Sequence, residues 1–158
     1  PHPHRLQQHW GLDRRPQGSR EPHGLSLRLK ECSNIGGSTA DLKGLVNLTY
    51  LNISGCSGIV GSTADLKGLV NLTNLNLSGC TGIVGSAADL KGLVNLTDLR
   101  LKDCRGIGGS TADLAGLVNL TFLNLTGCSR GSTADLKGLV NLTALCIGGS
   151  TADLKGLV

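Results

Sequence analysis

An α/β solenoid of stacked, near-identical coils is the fold class this sequence predicts, and three observations predict it. The stretch Gly61–Val84 reads GSTADLKGLVNLTNLNLSGCTGIV, and close copies begin at Gly37, Gly85 and Gly109, a period of 24 residues; shortened copies begin at Gly131 and Gly149. A period of this length marks a unit that cannot bury its apolar side alone and does so by stacking on its neighbours. Within the unit, Leu72, Leu75, Leu77 and Cys80 stand at L-x-x-L-x-L-x-x-C spacing, with Ile83 three residues later. Finally, only 2% of residues are aromatic and the 24 glycines fall at fixed positions in an apolar frame. A narrow coil filled by Leu, Ile, Val and Ala, with glycine at its corners, has that composition.

The spacing L-x-x-L-x-L-x-x-C carried by Leu72, Leu75, Leu77 and Cys80 resembles the leucine-rich repeat, in the form with Cys rather than Asn at the ninth position. The resemblance runs from Leu27 onward. It implies an arc with a parallel β-sheet on the concave face and short helical or 3₁₀ turns on the convex side. It also implies a protein partner held by outward-facing strand residues.

The elements follow in order. Residues 1–24 hold all four Pro, all four His and the only Trp, with no apolar periodicity. Their coding possibilities explain them. Back-translated and read one base later, Gly11 to Gly24 permits Gly-Ser-Thr-Ala-Asp-Leu-Lys-Gly-Leu-Val-Asn-Leu-Thr, the repeat itself. Residues 1–24 are therefore expected to be an out-of-frame translation of a preceding repeat, disordered or loosely packed. Residues 25–158 form the repeat domain, with about five full coils, shortened last copies and an incomplete final coil. His2, His4, His9 and His23 match no standard metal spacing and are not taken as ligands.

The expected strands are Ser26–Lys30, Tyr50–Ser54, Asn74–Ser78, Asp98–Lys102, Phe122–Thr126 and Ala144–Ile147, with alternate residues inward. After each of the first five comes a ladder cysteine: Cys32, Cys56, Cys80, Cys104 and Cys128. These are read as buried structural thiols, each meeting a backbone carbonyl. Disulfides and metal are the alternatives, and neither suits thiols that point into the core in parallel without a C-x-x-C pair. In the return segment, Asp41, Asp65, Asp89, Asp113, Asp135 and Asp153 suit a helix N-cap. Gly44 and its equivalents limit the helix to one or two turns. Lys43, Lys67, Lys91, Lys137 and Lys155 run beside the Asp row as a compensating charge ladder. Asn47, Asn71, Asn95, Asn119 and Asn141 sit at the corner before each strand, where corner hydrogen bonding accounts for them better than the glycosylation their N-L-T context formally allows.

The net charge of +4 does not point to nucleic acid, because residues 1–24 carry four Arg against Asp13 and Glu21, and no basic stripe with stacked aromatics is present. No apolar run approaches the ~20 residues of a membrane span. The sequence contains no Met and ends mid-repeat, so it is expected to be a fragment of a longer protein. Unpaired thiols and the lack of a visible signal peptide suggest a cytoplasmic location, and a monomer is expected. No cofactor, metal or catalytic constellation is expected.

Function is therefore sought on the outward strand positions, which differ between copies while the frame stays constant. They comprise Arg28, Lys30, Tyr50, Asn52, Asn74, Asn76, Asp98, Arg100, Lys102, Phe122 and Asn124, with Tyr50, Phe122 and Arg100 as anchor types. Two alternatives stand beside a partner-binding face. One is a partial or decayed gene product without activity. The other is an ice-binding surface on the row Thr49, Thr73, Thr97, Thr121 and Thr143 or on Asn52, Asn76 and Asn124, the latter interrupted by Arg100. Sequencing the coding DNA across residues 1–24 tests the N-terminal assignment: the reading frame one base later should spell the repeat, and any other sequence there removes it.

Overall fold

The computed structural model describes residues 24–128 and 136–148. Residues 1–23, on which the out-of-frame expectation falls, 129–135 and 149–158 lie outside the described residues. Ten short strands alternate with four 3₁₀ turns: β1 (Leu25–Arg28), β2 (Gly37–Ser38), β3 (Leu48–Asn52), β4 (Ile59–Ser62), β5 (Asn74–Asn76), β6 (Ile83–Ser86), β7 (Asp98–Arg100), β8 (Ile107–Gly108), β9 (Phe122–Asn124) and β10 (Ala144–Cys146). One strand of each coil joins a six-stranded parallel sheet in the order β1-β3-β5-β7-β9-β10, the concave face. The register places each residue beside its repeat equivalent, as in Tyr50 against Asn74 and Leu75 against Leu99.

These strands end earlier than the alternation predicts, and all but the five-residue β3 are shorter. In β3, β5 and β9 the last residue is Asn52, Asn76 or Asn124, whose Oδ1 accepts the backbone N–H two residues on at 3.0 Å. Such a local turn competes with extended backbone. Bonding between coils nonetheless continues past the strand ends: Ile53 N–H donates to the Asn76 carbonyl, and Gly55 N–H to that of Ser78. A second parallel sheet, β2-β4-β6-β8, runs along the return side. Its segments are two to four residues long, too short to announce themselves by alternation.

The core is a stack of layers. Leu66, Leu69, Leu72, Leu75, Leu77, Cys80 and Ile83 of one coil are all essentially solvent-free, and their equivalents continue the stack on both sides. Each such Leu contributes about 1.5–3 kcal/mol through burial. No coil achieves this without the coil above and below it.

The convex turns are four-residue 3₁₀ helices at Thr39–Leu42, Thr63–Leu66, Ala87–Leu90 and Thr111–Leu114. Their N-caps correct the sequence reading. Ser38, Ser62, Ser86 and Ser110 are the capping residues, and Asp41, Asp65, Asp89 and Asp113 sit three positions later, each receiving the Ser backbone N–H. The pair forms a capping box, which satisfies two donors at once where an Asp cap would satisfy one.

The Asp carboxylates also join successive coils. Asp65 accepts the Thr39 hydroxyl at 2.6 Å and the Lys43 ammonium at 2.8 Å, both from the preceding coil. Asp89 repeats this with Thr63 at 2.7 Å and Lys67 at 2.9 Å. Thr39 and Thr63 are completely buried, and each also accepts the N–H of Ser62 or Ser86. Gly61 lies against Thr39 with φ +136, and a Cβ there would collide with the Thr39 hydroxyl. Hydrogen bonds from Lys43 and Thr39 hold the Asp65 carboxyl below its ordinary range, as those from Thr63 and Lys67 do for Asp89.

The row breaks once, at Ala87, which occupies the Thr position and offers Asp113 no hydroxyl. Thr63→Ala should cost about 1–2 kcal/mol in urea denaturation, and Ala87→Thr should add about 0.5–1.5 kcal/mol. Because the Asp89 pKa is depressed in the folded state, the stability it confers is present above the unfolded carboxylate value and lost as pH falls through the folded one. The Thr63→Ala penalty should therefore shrink below about pH 4; a penalty independent of pH would show that the hydroxyl does not act through Asp89.

Candidate functional site

Alternation in six parallel strands places two rows of side chains on the concave face. The register aligns Ser26, Tyr50, Asn74, Asp98, Phe122 and Ala144 in one row, and Arg28, Asn52, Asn76, Arg100, Asn124 and Cys146 in the other. All nine strand-borne candidates therefore share this surface. Lys30 and Lys102 lie two residues beyond the ends of β1 and β7, both exposed.

Three groups organise the face. The Arg28 guanidinium lies over the Tyr50 ring, 4.2 Å from its centroid, and Arg100 lies over Phe122 at 4.5 Å. Each stack is worth about 0.5–1 kcal/mol at an exposed site and orients the guanidinium. Arg100 is further held by Asp98, whose two oxygens accept from Nε and Nη2 at 2.8 Å each. The paired carboxylate raises the Arg100 pKa above its ordinary value. Between the stacks, Tyr50, Asn52, Asn74, Asn76, Asp98 and Arg100 line a shallow depression. Asn52, Asn76 and Asn124 serve the fold with their carbonyl oxygens, and Asn52 Nδ2 also donates to the Tyr50 hydroxyl at 3.5 Å. Asn74 Oδ1 lies 2.9 Å from the Thr73 hydroxyl and shares its single proton with the Thr49 carbonyl at 3.0 Å.

The sequence reading named the residues but not their pairing. The signal was available in the spacing: Arg28 to Tyr50 and Arg100 to Phe122 are both 22 residues, two short of the period, which is the diagonal step between neighbouring strands.

Ladder positions behave as internal structure. Cys80, Cys104 and Cys128 donate to the carbonyls of Ile53, Leu77 and Leu101 in the preceding coil at 2.9–3.0 Å. Cys32 makes a local bond to Lys30 at 3.3 Å and is half-buried, because it belongs to the first described coil. Cys56 is buried, with its Sγ 3.8 Å from the Ser54 carbonyl. Burial pushes the Cys80 and Cys104 thiols up to about 12 and raises those of Cys56 and Cys128. The six described cysteines are free thiols. Among the described residues, no group of three or more His, Cys, Asp or Glu is placed to hold a metal ion. No helix among them is long and apolar enough to cross a membrane.

Two further rows lie at the corners. Asn71, Asn95, Asn119 and Asn141 donate to the Val46, Val70, Val94 and Val118 carbonyls of the preceding coil. Thr73, Thr97, Thr121 and Thr143 donate their hydroxyls to the preceding Thr carbonyl at 3.0–3.1 Å. A water lattice laid on that Thr row would meet lone pairs, since the hydroxyl hydrogens are committed to the backbone.

No protein-family model matches the chain, and no characterised protein matches it in sequence. Solved structures do. Internalin C2 from Listeria monocytogenes is similar over 75% of this chain and 51% of its own, at 26% identity and a TM-score of 0.59. The functional domain of InlJ from the same organism, described as including a cysteine ladder, is similar over 84% of this chain and 28% of its own, at 23% identity and 0.58. The leucine-rich repeat ectodomain of the receptor kinase SOBIR1 from Arabidopsis thaliana is similar over 93% of this chain and 89% of its own, at 17% identity and 0.62. The chain thus spans about half of the internalin C2 structure and less of InlJ.

Fold and repeat together define a solenoid with one parallel sheet per face. Its leucine frame, 3₁₀ turns and cysteine ladder give this chain the leucine-rich repeat fold. In native protein, a chromogenic disulfide reagent should modify the exposed Cys146 first and reach Cys80 and Cys104 only on unfolding. Rapid native labelling of Cys80 or Cys104 would contradict their place in the core.

Proposed function

We propose that the chain is an interaction module whose concave face binds a protein partner. The observation that carries this is the contrast between a constant frame and a differentiated surface. Leu, Cys, Thr and Asp positions repeat because each packs on or bonds to the neighbouring coil, whereas the outward strand positions make few such bonds and differ from coil to coil. Those differences bring oriented Arg–aromatic pairs and a polar depression onto one surface. Aromatic and Arg side chains concentrate binding energy in protein interfaces. Lys67 and Asp89, by contrast, are occupied in joining coils on the convex side.

The reading assigns the chain no catalytic role, cofactor or nucleic acid. It extends to a monomeric module in the cytoplasm, where ladder thiols hydrogen-bonded to carbonyls would remain reduced. Affinity capture with the repeat protein tests it. Changing Tyr50, Arg100 and Phe122 together to Ala should weaken a captured partner at least about tenfold, while Lys67→Ala should leave capture unchanged. Equal capture by the triple variant would remove the concave face from the interface.

A further inference from the structure

The two Arg–aromatic pairs belong to two copies of one larger unit. Leu27–Cys32 reads LRLKEC and Leu99–Cys104 reads LRLKDC, three repeats apart. Each is followed in the next coil by an aromatic residue under the Arg, Tyr50 or Phe122. The copies stand on β1 and β7, three strand steps apart, or about 14 Å at the usual strand spacing. They differ at one position that decides their chemistry. Two residues before the Arg, the first copy has Ser26 and the second has Asp98.

In the second copy, Asp98 closes both donors of the guanidinium fork, Nε and Nη2, at 2.8 Å each. In the first, the Ser26 hydroxyl is 3.4 Å from Arg28 Nε, and no residue among those described occupies the place of the second carboxylate oxygen. Tyr50 still orients the fork, and Lys30 stands two residues on with its ammonium 3.9 Å from the exposed Glu31 carboxylate, which leaves Arg28 as the guanidinium without a carboxylate of its own. The neighbouring depression is lined by Asn rather than by any carboxylate other than Asp98.

We infer that Arg28, stacked on Tyr50 and backed by Lys30, is a subsite for an Asp or Glu side chain of the protein partner, and that Asp98 fills the equivalent subsite on Arg100 from within. This rests on the concave-face reading and adds the chemistry one end of that face recognises. The Asp98–Arg100 pair is the template: a carboxylate taken in two parallel hydrogen bonds by a guanidinium held flat on a ring, the geometry in which Arg binds carboxylates most strongly. A partner therefore presents an acidic side chain toward β1, and the β7 end does not require one.

The test uses the full chain, the side-chain Nε–H NMR signals of Arg28 and Arg100, and N-acetylglutamate N-methylamide as probe, with the glutamine analogue as control. In the unaltered protein, glutamate should move the Arg28 signal saturably toward the position of Arg100 and leave Arg100 in place. Ser26→Asp should abolish the Arg28 response, weakening binding at least about tenfold. Asp98→Ser should create a matching response at Arg100. Equal responses to glutamate and glutamine, or a response at Arg28 that survives Ser26→Asp, would overturn the subsite. The captured partner separates this from the broader reading. If Ser26→Asp leaves its binding intact while the Tyr50, Arg100 and Phe122 variant loses it, the subsite is wrong and the concave face stands. If Arg28 takes glutamate but the triple variant still captures the partner, Arg28 binds carboxylates without serving this partner, and the concave-face interface falls together with the subsite's role in it.

Discussion

Register between coils is the constraint on which the structure depends. A coil of 24 residues encloses one layer of leucines and buries little by itself, so its stability comes from lying on a coil of the same size. Equal length places every residue over its own copy, and a side chain that bonds favourably to the next coil does so again at each level. The Thr39–Asp65 and Thr63–Asp89 bonds, the Cys80, Cys104 and Cys128 thiols and the corner Asn amides all work in this way. Each satisfies a polar group that narrow packing would otherwise strand without a partner. Stability in such an array is close to a sum over neighbouring interfaces, which is why the single gap at Ala87 is a local weakness and not a fault in the fold.

The same constraint determines where function can sit. Rows bonded coil to coil cannot change at one level without orphaning a partner at the next. Substituting Asp89 would take from the Thr63 hydroxyl and the Lys67 ammonium the carboxylate that joins their coil to the next. Outward positions of the concave sheet carry no such obligation. Their backbone is held by the ladder whatever the side chain, so Tyr50, Asn74, Asp98 and Phe122 can occupy equivalent places in successive strands. Asn52, Asn76 and Asn124 are intermediate: they face outward, but their carbonyl oxygens end the strands, and this explains why Asn recurs there.

Much of this was legible in the sequence because periodicity multiplies weak signals. One Leu-x-x-Leu-x-Leu stretch is ambiguous, whereas several in fixed register define sheet, core and turn side together. The thiols were legible for the same reason. What escaped was local competition and diagonal geometry. Asp65 looks like a helix cap until Ser62, three residues earlier, is seen to take that role, and the two choices differ by a few degrees of freedom that pattern alone does not weigh. The strands β2, β4, β6 and β8 escaped because Gly-Ser and Ile-Val-Gly-Ser are too short for alternation and pair only because the coils align them. At the candidate site, all the residues were legible as outward, but stacking of Arg28 on Tyr50 depends on the offset between neighbouring strands, which a column-by-column comparison of repeats hides.

A repeating scaffold also offers a simple route from structure to recognition. When a unit is copied, its side-chain arrangement is copied with its geometry, and a single substitution can open or close what the copy displays. Ser26 and Asp98 stand in that relation. The aliphatic frame, the Arg and the ring beneath it are matched in both copies, so the difference between an occupied guanidinium and an open one reduces to one carboxylate. Asp98 neutralises Arg100 where the two pair, whereas Arg28 has no carboxylate partner among the described residues and Lys30 lies beside Glu31. On the proposed reading, recognition on this face is directional along the solenoid axis, from a carboxylate subsite at β1 across a polar depression on β3 and β5 to a neutralised, ring-backed pair at β7 and β9. That polarity arises from four or five side chains on a scaffold whose remaining residues are fixed by their neighbours.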